Sequence, residues 1–328
     1  MKILYAIQGT GNGHLSRARD IIPILHKKGE VDILVSGIQA DVCLPFPVTY
    51  QLHGLSFIFG KSGGVDLVQT YKKIHTKQLY KDIKSLPVEK YDLIINDFEP
   101  VSAWASVIKK KTCIGLSHQS AVLSKSSPQP KKIDPVGKMV LKNYAPATAK
   151  YGLHFECFDD NIFTPVIRQE IRQAHVNVKE HYTVYLPSFE DKKIIKRLKK
   201  IQDIEWHVFS KHSKSEYRIN NVKVEPIDNE RFIQSFTSCK GILCGAGFET
   251  PAEALYLNKK LMVIPMRNQY EQHCNAAALK ALGIPVIKNM KKKQISKIED
   301  WIQHGRPLEV HYPDITEDII NMLIEKHT

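Results

Sequence analysis

The stretch from Gly245 to Asn275, GAGFETPAEALYLNKKLMVIPMRNQYEQHCN, decides the fold class of this 328-residue chain. Its pattern is a strand end, a glycine turn, a helix, a second strand, and a polar loop that opens another helix. Free backbone N–H groups and the helix dipole after the glycine turn favour an anion. The run from Glu271 to Asn275 adds a carboxylate and amides that can hold hydroxyl groups. Together these groups suit a phosphorylated sugar.

Short apolar runs alternate with helical patterns along the whole chain. Several runs are continuously apolar, which is typical of parallel strands buried on both faces. The alternation predicts doubly wound parallel α/β sheets. The predicted strands are Lys2–Ile7, Val31–Val35, Tyr91–Asn96, Thr112–Leu116, Gly152–Phe158, Tyr182–Leu186, Glu205–Phe209, Gly241–Leu243 and Leu261–Pro265.

The segment Asn161–Lys179 marks a change from one sheet to another, because it carries a proline and mixed charge and is followed by a fresh apolar strand. We therefore expect two Rossmann-like domains, residues 1–165 and residues 178–312, which face each other across a cleft. A helix over residues 315–328 is expected to pack back on the first domain. The segments Phe59–Val65 and Leu123–Val136 are expected to be mobile loops.

The chain is basic, with 47 Lys and Arg against 34 Asp and Glu. This excess fits an anionic partner such as a phosphorylated substrate or a lipid surface, although lysine runs such as Lys192–Lys200 are usually just solvated. Nucleic acid is disfavoured because no recognised binding motif accompanies the charge. The cysteines are scattered, no apolar run approaches 20 residues, and the N-terminus has the pattern of a first strand. These features predict a cytoplasmic protein.

The first strand is followed by a second glycine turn, Gly9-Thr10-Gly11-Asn12-Gly13-His14. A dinucleotide fingerprint needs a third glycine where His14 stands, so NAD binding is not expected. His14 lies at a helix start that faces the predicted cleft. A neutral imidazole there suits a general base that removes a proton from a hydroxyl. The alternative is a histidine that only fills the turn.

Asp97 ends the apolar run YDLIIND, so a doubly wound sheet places its carboxylate at the same edge as His14. A carboxylate that accepts from the second ring nitrogen fixes the tautomer and stabilises the imidazolium. Asp97 is equally suited to cap the next helix. His118, which ends another strand, is a rival base or an acceptor-site residue.

Thr250-Pro251-Ala252-Glu253 has the form of a capping box with proline at the first helical position. Glu253 is thereby explained without a ligand. A Glu in this first turn can also reach the ribose hydroxyls below a phosphate, so both roles stay open.

These residues resemble nucleotide-sugar glycosyltransferases of the GT-B fold, closest to UDP-glycosyltransferases and the lipid-linked N-acetylglucosamine transferase of peptidoglycan synthesis. Gly11-Asn12-Gly13-His14 with Arg17 is similar to the N-terminal G-x-G-H-x-x-R of that group. The matching residues of the second half are Gly247, Thr250, Glu253, Pro265, Glu271, Gln272, Asn275 and Ala276.

The resemblance implies a donor site in which backbone around Gly247 binds the diphosphate, Glu253 the ribose, and Glu271 with Gln272 the sugar. His14 is then the base and Asp97 its orienting partner. Arg168 is a possible phosphate contact. The full set of expected donor-binding residues is Gly11, Asn12, Gly13, Ser188, Gly245, Gly247, Glu249, Thr250, Glu253, Glu271, Gln272 and Asn275. Two departures are Gly245 in place of the signature histidine and Glu249 in place of an asparagine.

The expected activity is inverting, metal-independent transfer of a sugar from a nucleotide diphosphate donor, UDP-linked, to a hydroxyl acceptor. No cofactor is expected beyond the nucleotide sugar. The acceptor is expected to be lipid-linked or anionic, with peripheral contact at the inner face of the cytoplasmic membrane. Two alternatives remain: a UDP-sugar epimerase of the same fold, and a non-catalytic protein that binds sugar nucleotides or polyanions.

Overall fold

Two parallel sheets, each covered by helices, organise the chain as the alternating pattern predicts. The computed structural model describes residues 1–37, 44–55, 59–60, 64–65 and 76–328. We call residues 1–165 the N-terminal half and residues 178–312 the C-terminal half. The predicted loop Phe59–Val65 lies partly outside the described residues.

The N-terminal half holds a seven-stranded parallel sheet in the order β3-β2-β1-β6-β7-β8-β9. Its strands are β1 (Lys2–Gln8), β2 (Glu30–Ser36), β3 (Tyr50–Leu52), β6 (Leu93–Asp97), β7 (Ile114–Ser117), β8 (Ala149–Leu153) and β9 (Ile162–Phe163). The strands β4 (Phe59–Gly60) and β5 (Gly64–Val65) form a separate antiparallel pair. The helices are α1 (Asn12–His26), α2 (Thr76–Ser85), α3 (Pro100–Lys109), α4 (His118–Val122) and α5 (Pro135–Tyr144).

The C-terminal half holds a six-stranded sheet in the order β12-β13-β11-β10-β14-β15, parallel except for β12. Its strands are β10 (His181–Tyr185), β11 (Glu205–Ser210), β12 (Tyr217–Ile219), β13 (Val222–Pro226), β14 (Gly241–Gly245) and β15 (Lys260–Ile264). After the connecting helix α6 (Gln169–Arg172), the helices are α7 (Asp191–Leu198), α8 (Asn229–Ser238), α9 (Glu249–Tyr256), α10 (Tyr270–Ala281), α11 (Ile295–His304) and α12 (Thr316–His327).

Burial explains why the central strands are the ones that the sequence predicts best. Side chains from Ile3 to Ile7 are all 0% exposed, so β1 is apolar on both faces. The strand predicted over Gly152–Phe158 is instead β8, because the chain turns after Leu153 and the N–H of Phe158 donates to the carbonyl of Glu156. The strands β3, β9, β12 and β13 were not predicted, because they are short or lie near a sheet edge and lack a continuous apolar run.

The strand order has a switch point in each half, and ligands of such folds bind beside it. In the first sheet β1 lies between β2 and β6, so the turns after β1 and β6 diverge to opposite faces. In the second sheet β10 lies between β11 and β14. The last helix, α12, packs against α1, and the side chains of Lys28 and Glu317 form an ion pair between them. Among the described helices, none is long and apolar enough to cross a membrane.

Candidate active site

His14 and Asp97 meet at the switch point of the first sheet. His14 is the third residue of α1, and Asp97 ends β6, which pairs directly with β1. Nδ1 of His14 lies 2.8 Å from Oδ1 of Asp97. Because the carboxylate can only accept, a hydrogen bond to Asp97 makes Nδ1 the donor and leaves the lone pair on Nε2. NH2 of Arg17 also lies 2.8 Å from Nδ1. The side chain of His14 is 12% exposed, so solvent reaches part of it.

Asp97 is held as an anion although it is fully buried. Burial by itself raises its pKa, but the charge of Arg17 and the contact with His14 lower that pKa to about 2. Nε and NH2 of Arg17 donate to the two oxygens of Asp97 at 2.8 and 2.7 Å. The alternative role of Asp97 as a helix cap is wrong, because the carboxylate of Glu99 accepts from the N–H groups of Val101 and Ser102.

Arg17 also joins the two halves. Its third nitrogen, NH1, donates to Oε1 of Glu249 at the start of α9. Glu249 packs closely on the first glycine turn, since a Cβ on Gly13 would lie 2.9 Å from its Cγ. Burial raises the pKa of Glu249 to about 7, against the lowering effect of the Arg17 charge. The extra carboxylate noted in the sequence is thus the partner of a buried arginine.

The second glycine turn, Gly245-Ala246-Gly247, has unfilled space beside its two glycines. A Cβ on Gly247 would meet none of the described atoms within 4 Å, and one on Gly245 would meet only Oε1 of Gln272, at 3.9 Å. Gly11, with φ of 97°, is equally open at the start of α1. Among the described side chains, none caps α1 or α9. The start of α9 therefore has room for an anion beside its backbone N–H groups.

The capping box predicted from Thr250 to Glu253 is wrong. The helix begins at Glu249, so Thr250 is already helical, and Phe248 is the cap residue. Glu253 is buried and its two oxygens accept from Nε and NH2 of Arg168 at 2.5 and 3.0 Å. Arg168 also donates to Oδ1 of Asn229 at 3.2 Å. It lies in the segment that connects the two halves and is itself 9% exposed.

The polar run that opens α10 faces the first half. Oε2 of Glu271 accepts from Nε2 of Gln119 at 3.1 Å, and Oε1 of Gln272 accepts from the N–H of Met266 at 2.8 Å. Asn275 is fully buried, and its Nδ2 donates to the carbonyl of Ala246 at 3.1 Å. Asn275 therefore supports the glycine turn from behind rather than facing the opening.

His118 lies in the interface between the halves, away from the opening. Its Nδ1 lies 2.8 Å from the carbonyl oxygen of Leu153, and its Nε2 lies 2.7 Å from Oδ1 of Asn275. The ring stacks on Phe248 at 4.0 Å, and burial lowers its pKa. With 1% exposure and both nitrogens in contact, His118 has no route to an acceptor hydroxyl in this conformation.

The next residue, Gln119, occupies the position that the sequence assigned to His118. Its Nε2 lies 3.4 Å from Nε2 of His14 as well as 3.1 Å from Glu271, and its side chain is buried. Its Oε1 is buried and has no partner among the described residues. Sequence reasoning missed Gln119 because the two residues differ only in which face of the short helix α4 they occupy.

The remaining predicted donor residues follow strands at the switch points. Ser188 lies in a turn directly after β10, whose neighbour β14 leads into the Gly245 turn. Asn12 begins α1 between Gly11 and Gly13. The structure thus gathers His14, Asp97 and both glycine turns around the line where the two halves meet.

Comparison with known proteins identifies the family. The model for glycosyl transferase family 1 matches residues 1–304. No curated protein matches the sequence. Among solved structures, the glycosyltransferase SnogD from Streptomyces nogalater has a TM-score of 0.55 and 12% identity, and the match covers 100% of this chain and 99% of that chain.

Two further structures share the fold. MurG from Acinetobacter baumannii has a TM-score of 0.55 and 11% identity, with 99% of each chain covered. UGT89C1 from Arabidopsis thaliana, solved with UDP, has a TM-score of 0.59 and 12% identity, with 99% of this chain and 94% of that chain covered. The resemblance and the GT-B fold inferred from the sequence are confirmed. The chain belongs to glycosyl transferase family 1 and is a glycosyltransferase of the GT-B fold.

Proposed function

We propose that this glycosyltransferase moves a sugar from a UDP-linked donor to a hydroxyl acceptor with inversion, and that His14 is the general base. The observation that carries the proposal is the 2.8 Å contact between Nδ1 of His14 and Asp97, because a proton that Nδ1 donates to this carboxylate leaves Nε2 able to accept one. Two similar structures, UGT89C1 with UDP and a Phytolacca americana enzyme with UDP-2-fluoro-glucose, support a uridine nucleotide.

In the proposed reaction, Nε2 of His14 takes the acceptor hydroxyl proton as that oxygen attacks the anomeric carbon. The bond between this carbon and the diphosphate breaks, and its electron pair leaves with the diphosphate. A single displacement inverts the configuration. Asp97 stabilises the imidazolium that forms, as in other carboxylate–histidine pairs. The N–H groups at the start of α9 stabilise the leaving group through the helix dipole and hydrogen bonds.

The donor sugar is proposed to contact Glu271 and Gln272, which open α10 beside the Gly245 turn. Gly247 and Thr250 are proposed to contact the diphosphate through their backbone, and Ser188 to contact it from the turn after β10. Glu253 reaches a ribose only while sharing its carboxylate with Arg168, since both of its oxygens already accept from that side chain.

The test compares His14→Ala with the parent enzyme, with His304→Ala as a matched control on an exposed surface of α11. UDP release is measured with a panel of donors and acceptors, and UDP binding by thermal shift. We expect His14→Ala to lose about 10²–10⁴-fold in turnover while UDP binding persists. Turnover equal to that of the parent excludes the base role, and conversion of donor without any acceptor indicates epimerisation. The anomeric configuration of the product, read by NMR, tests inversion.

An anionic or lipid-linked acceptor is proposed from the surface around the start of α5. Ile133, Val136 and Met139 are more than half exposed there, among Lys131, Lys132, Lys138 and Lys142. Exposed apolar side chains beside lysines suit an anionic lipid surface. Vesicles containing anionic lipid should sediment the parent protein at physiological salt and release the double variant Val136→Asp/Met139→Asp. Equal sedimentation of the two proteins, or none of either, contradicts this part of the proposal.

A further inference from the structure

Four side chains form a continuous chain of contacts from the proposed base to the helix that is proposed to hold the donor. His14 contacts Asp97, Asp97 accepts two hydrogen bonds from Arg17, and Arg17 donates to Glu249. The first three residues belong to the N-terminal half, and Glu249 belongs to the C-terminal half. The last contact therefore exists only while the two halves are closed on each other.

We infer that Glu249 is a positioning residue that, on closure of the two halves, holds Arg17 and thereby sets Asp97 and His14 for proton transfer. This inference rests on the proposed function of His14. The family resemblance implies that Glu249 binds the donor. The inference instead assigns it an action through Arg17. Proton abstraction is thereby tied to the closed arrangement of the two halves.

Residues of both halves accommodate the contact between Arg17 and Glu249. Arg17 is 2% exposed, and a buried guanidinium with an unpaired nitrogen is strongly unfavourable. Asp97 satisfies two of its nitrogens, and Glu249 satisfies the third. On the facing helix, Gly13 leaves the space that Glu249 fills, because a Cβ there would lie 2.9 Å from Cγ of Glu249. Glu249 is also the one acidic residue in the first turn of α9.

The balance of charge around His14 gives the direction of the effect. The groups that face this chain are Tyr5 on β1, Arg17 on α1, Asp97 on β6, Gln119 on α4, Glu253 on α9, Glu271 on α10 and Arg168 in the connecting segment. NH2 of Arg17 lies 2.8 Å from Nδ1 of His14, so its positive charge is adjacent to the ring. Glu249 offsets that charge. Removal of the Glu249 charge should therefore leave the Arg17 charge unbalanced beside the ring that receives the proton.

The experiment measures kcat, KM for the donor, and the pH dependence of kcat/KM for Glu249→Gln. We expect kcat to fall about tenfold, a part of what a general base supplies, while UDP binding is unchanged or tighter. Burial raises the pKa of Glu249 to about 7, so Glu249→Gln should also lack a titration near neutral pH.

A double-mutant cycle separates action through Arg17 from independent effects. Glu249→Gln should cost much less in the Arg17→Met background than in the parent. Glu249→Asp, which keeps the charge, should restore the titration near neutral pH and part of kcat. Glu317→Gln, which removes the exposed partner of Lys28 at the other end of α1, is the matched control and should leave all parameters unchanged.

Three outcomes overturn the inference. Additive effects of the two substitutions, or an unchanged kcat and profile in Glu249→Gln, exclude a role through Arg17. Parallel loss of UDP binding and kcat shows that Glu249 is a direct donor ligand instead. An assay of His14→Ala beside these variants separates failure of the proposed function from failure of this inference. If His14→Ala is inactive and Glu249→Gln is normal, the proposed function stands and only this inference fails.

Discussion

Arg168 and Glu253 form a buried two-point ion pair, with Nε donating to Oε1 at 2.5 Å and NH2 donating to Oε2 at 3.0 Å. Arg168 belongs to the segment between the halves, and Glu253 belongs to the helix that follows the open glycine turn. The pair therefore holds α9 at a fixed position relative to the connection. Loss of the pair should therefore lower the free energy of unfolding and displace the helix that is proposed to hold the donor.

Arg168→Met should destabilise the protein by about 3–5 kcal/mol, because it leaves the carboxylate of Glu253 buried without its partner. The double variant Arg168→Met/Glu253→Leu should recover most of this loss, since both charges are then absent. Urea unfolding followed by circular dichroism measures the difference. Glu317→Gln should stay within about 1 kcal/mol of the parent, as is usual for exposed pairs. An unchanged midpoint for Arg168→Met contradicts the prediction.

Gln119→Leu should lower the rate of UDP release about 10–100-fold with little change in UDP binding. The amide lies between Nε2 of His14 and Glu271, and its Oε1 is buried without a partner among the described residues. Loss of one such contact misplaces the reacting groups, which costs up to about 10²-fold. Gln173→Leu, on an exposed position after α6, is the matched control. A normal rate in Gln119→Leu would remove this residue from the site.

Gly152→Ala should cost about 1–3 kcal/mol and should also lower activity. A Cβ at this position of β8 would lie 2.5–2.8 Å from Cβ, Cα and N of Ala121, so α4 must shift together with Gln119. Gly247→Ala is the contrasting variant, because its Cβ would enter open space and change stability by less than about 0.5 kcal/mol. Thermal unfolding of both variants provides the measurement. Equal stability of the two would refute the packing argument.

Acidification should destabilise the protein through His181, which stacks on His207 at 4.0 Å. Burial, and next the neighbouring His207, lower the pKa of His181 to about 4. Between the unfolded value of about 6.5 and the folded value of about 4, the unfolded state binds more protons. Stability is thus complete above pH 6.5 and falls as the pH drops towards 4, by about 2 kcal/mol at pH 5 from this residue.

Urea midpoints of the parent and of His181→Gln, taken from pH 7 to pH 5, measure this contribution. The variant should lose less stability over that range than the parent does. His304→Gln, on the surface of α11, should keep the slope of the parent. Parallel slopes for all three proteins would show that His181 is not the group that titrates.

The sequence by itself determined the alternation of strands and helices, the two glycine turns, and the positions of His14 and Asp97 at carboxyl ends of strands. These are local signals. Continuous apolar runs predict buried parallel strands, and the ends of neighbouring parallel strands meet at one edge of a sheet. The contact between His14 and Asp97, 83 positions apart, agrees with that rule, although the sequence left a helix-cap role for Asp97 open.

Only the tertiary structure decided which neighbouring residue faces the site and which charges pair. His118 and Gln119 differ in one helical step, and packing of α4 against β8 and α10 turned His118 inwards and Gln119 to the base. The partners Arg17–Glu249 and Arg168–Glu253 are 232 and 85 positions apart and lie in different segments of the chain. No local pattern encodes such pairs, because their free energy comes from burial that exists only once the two sheets and their connection have packed together.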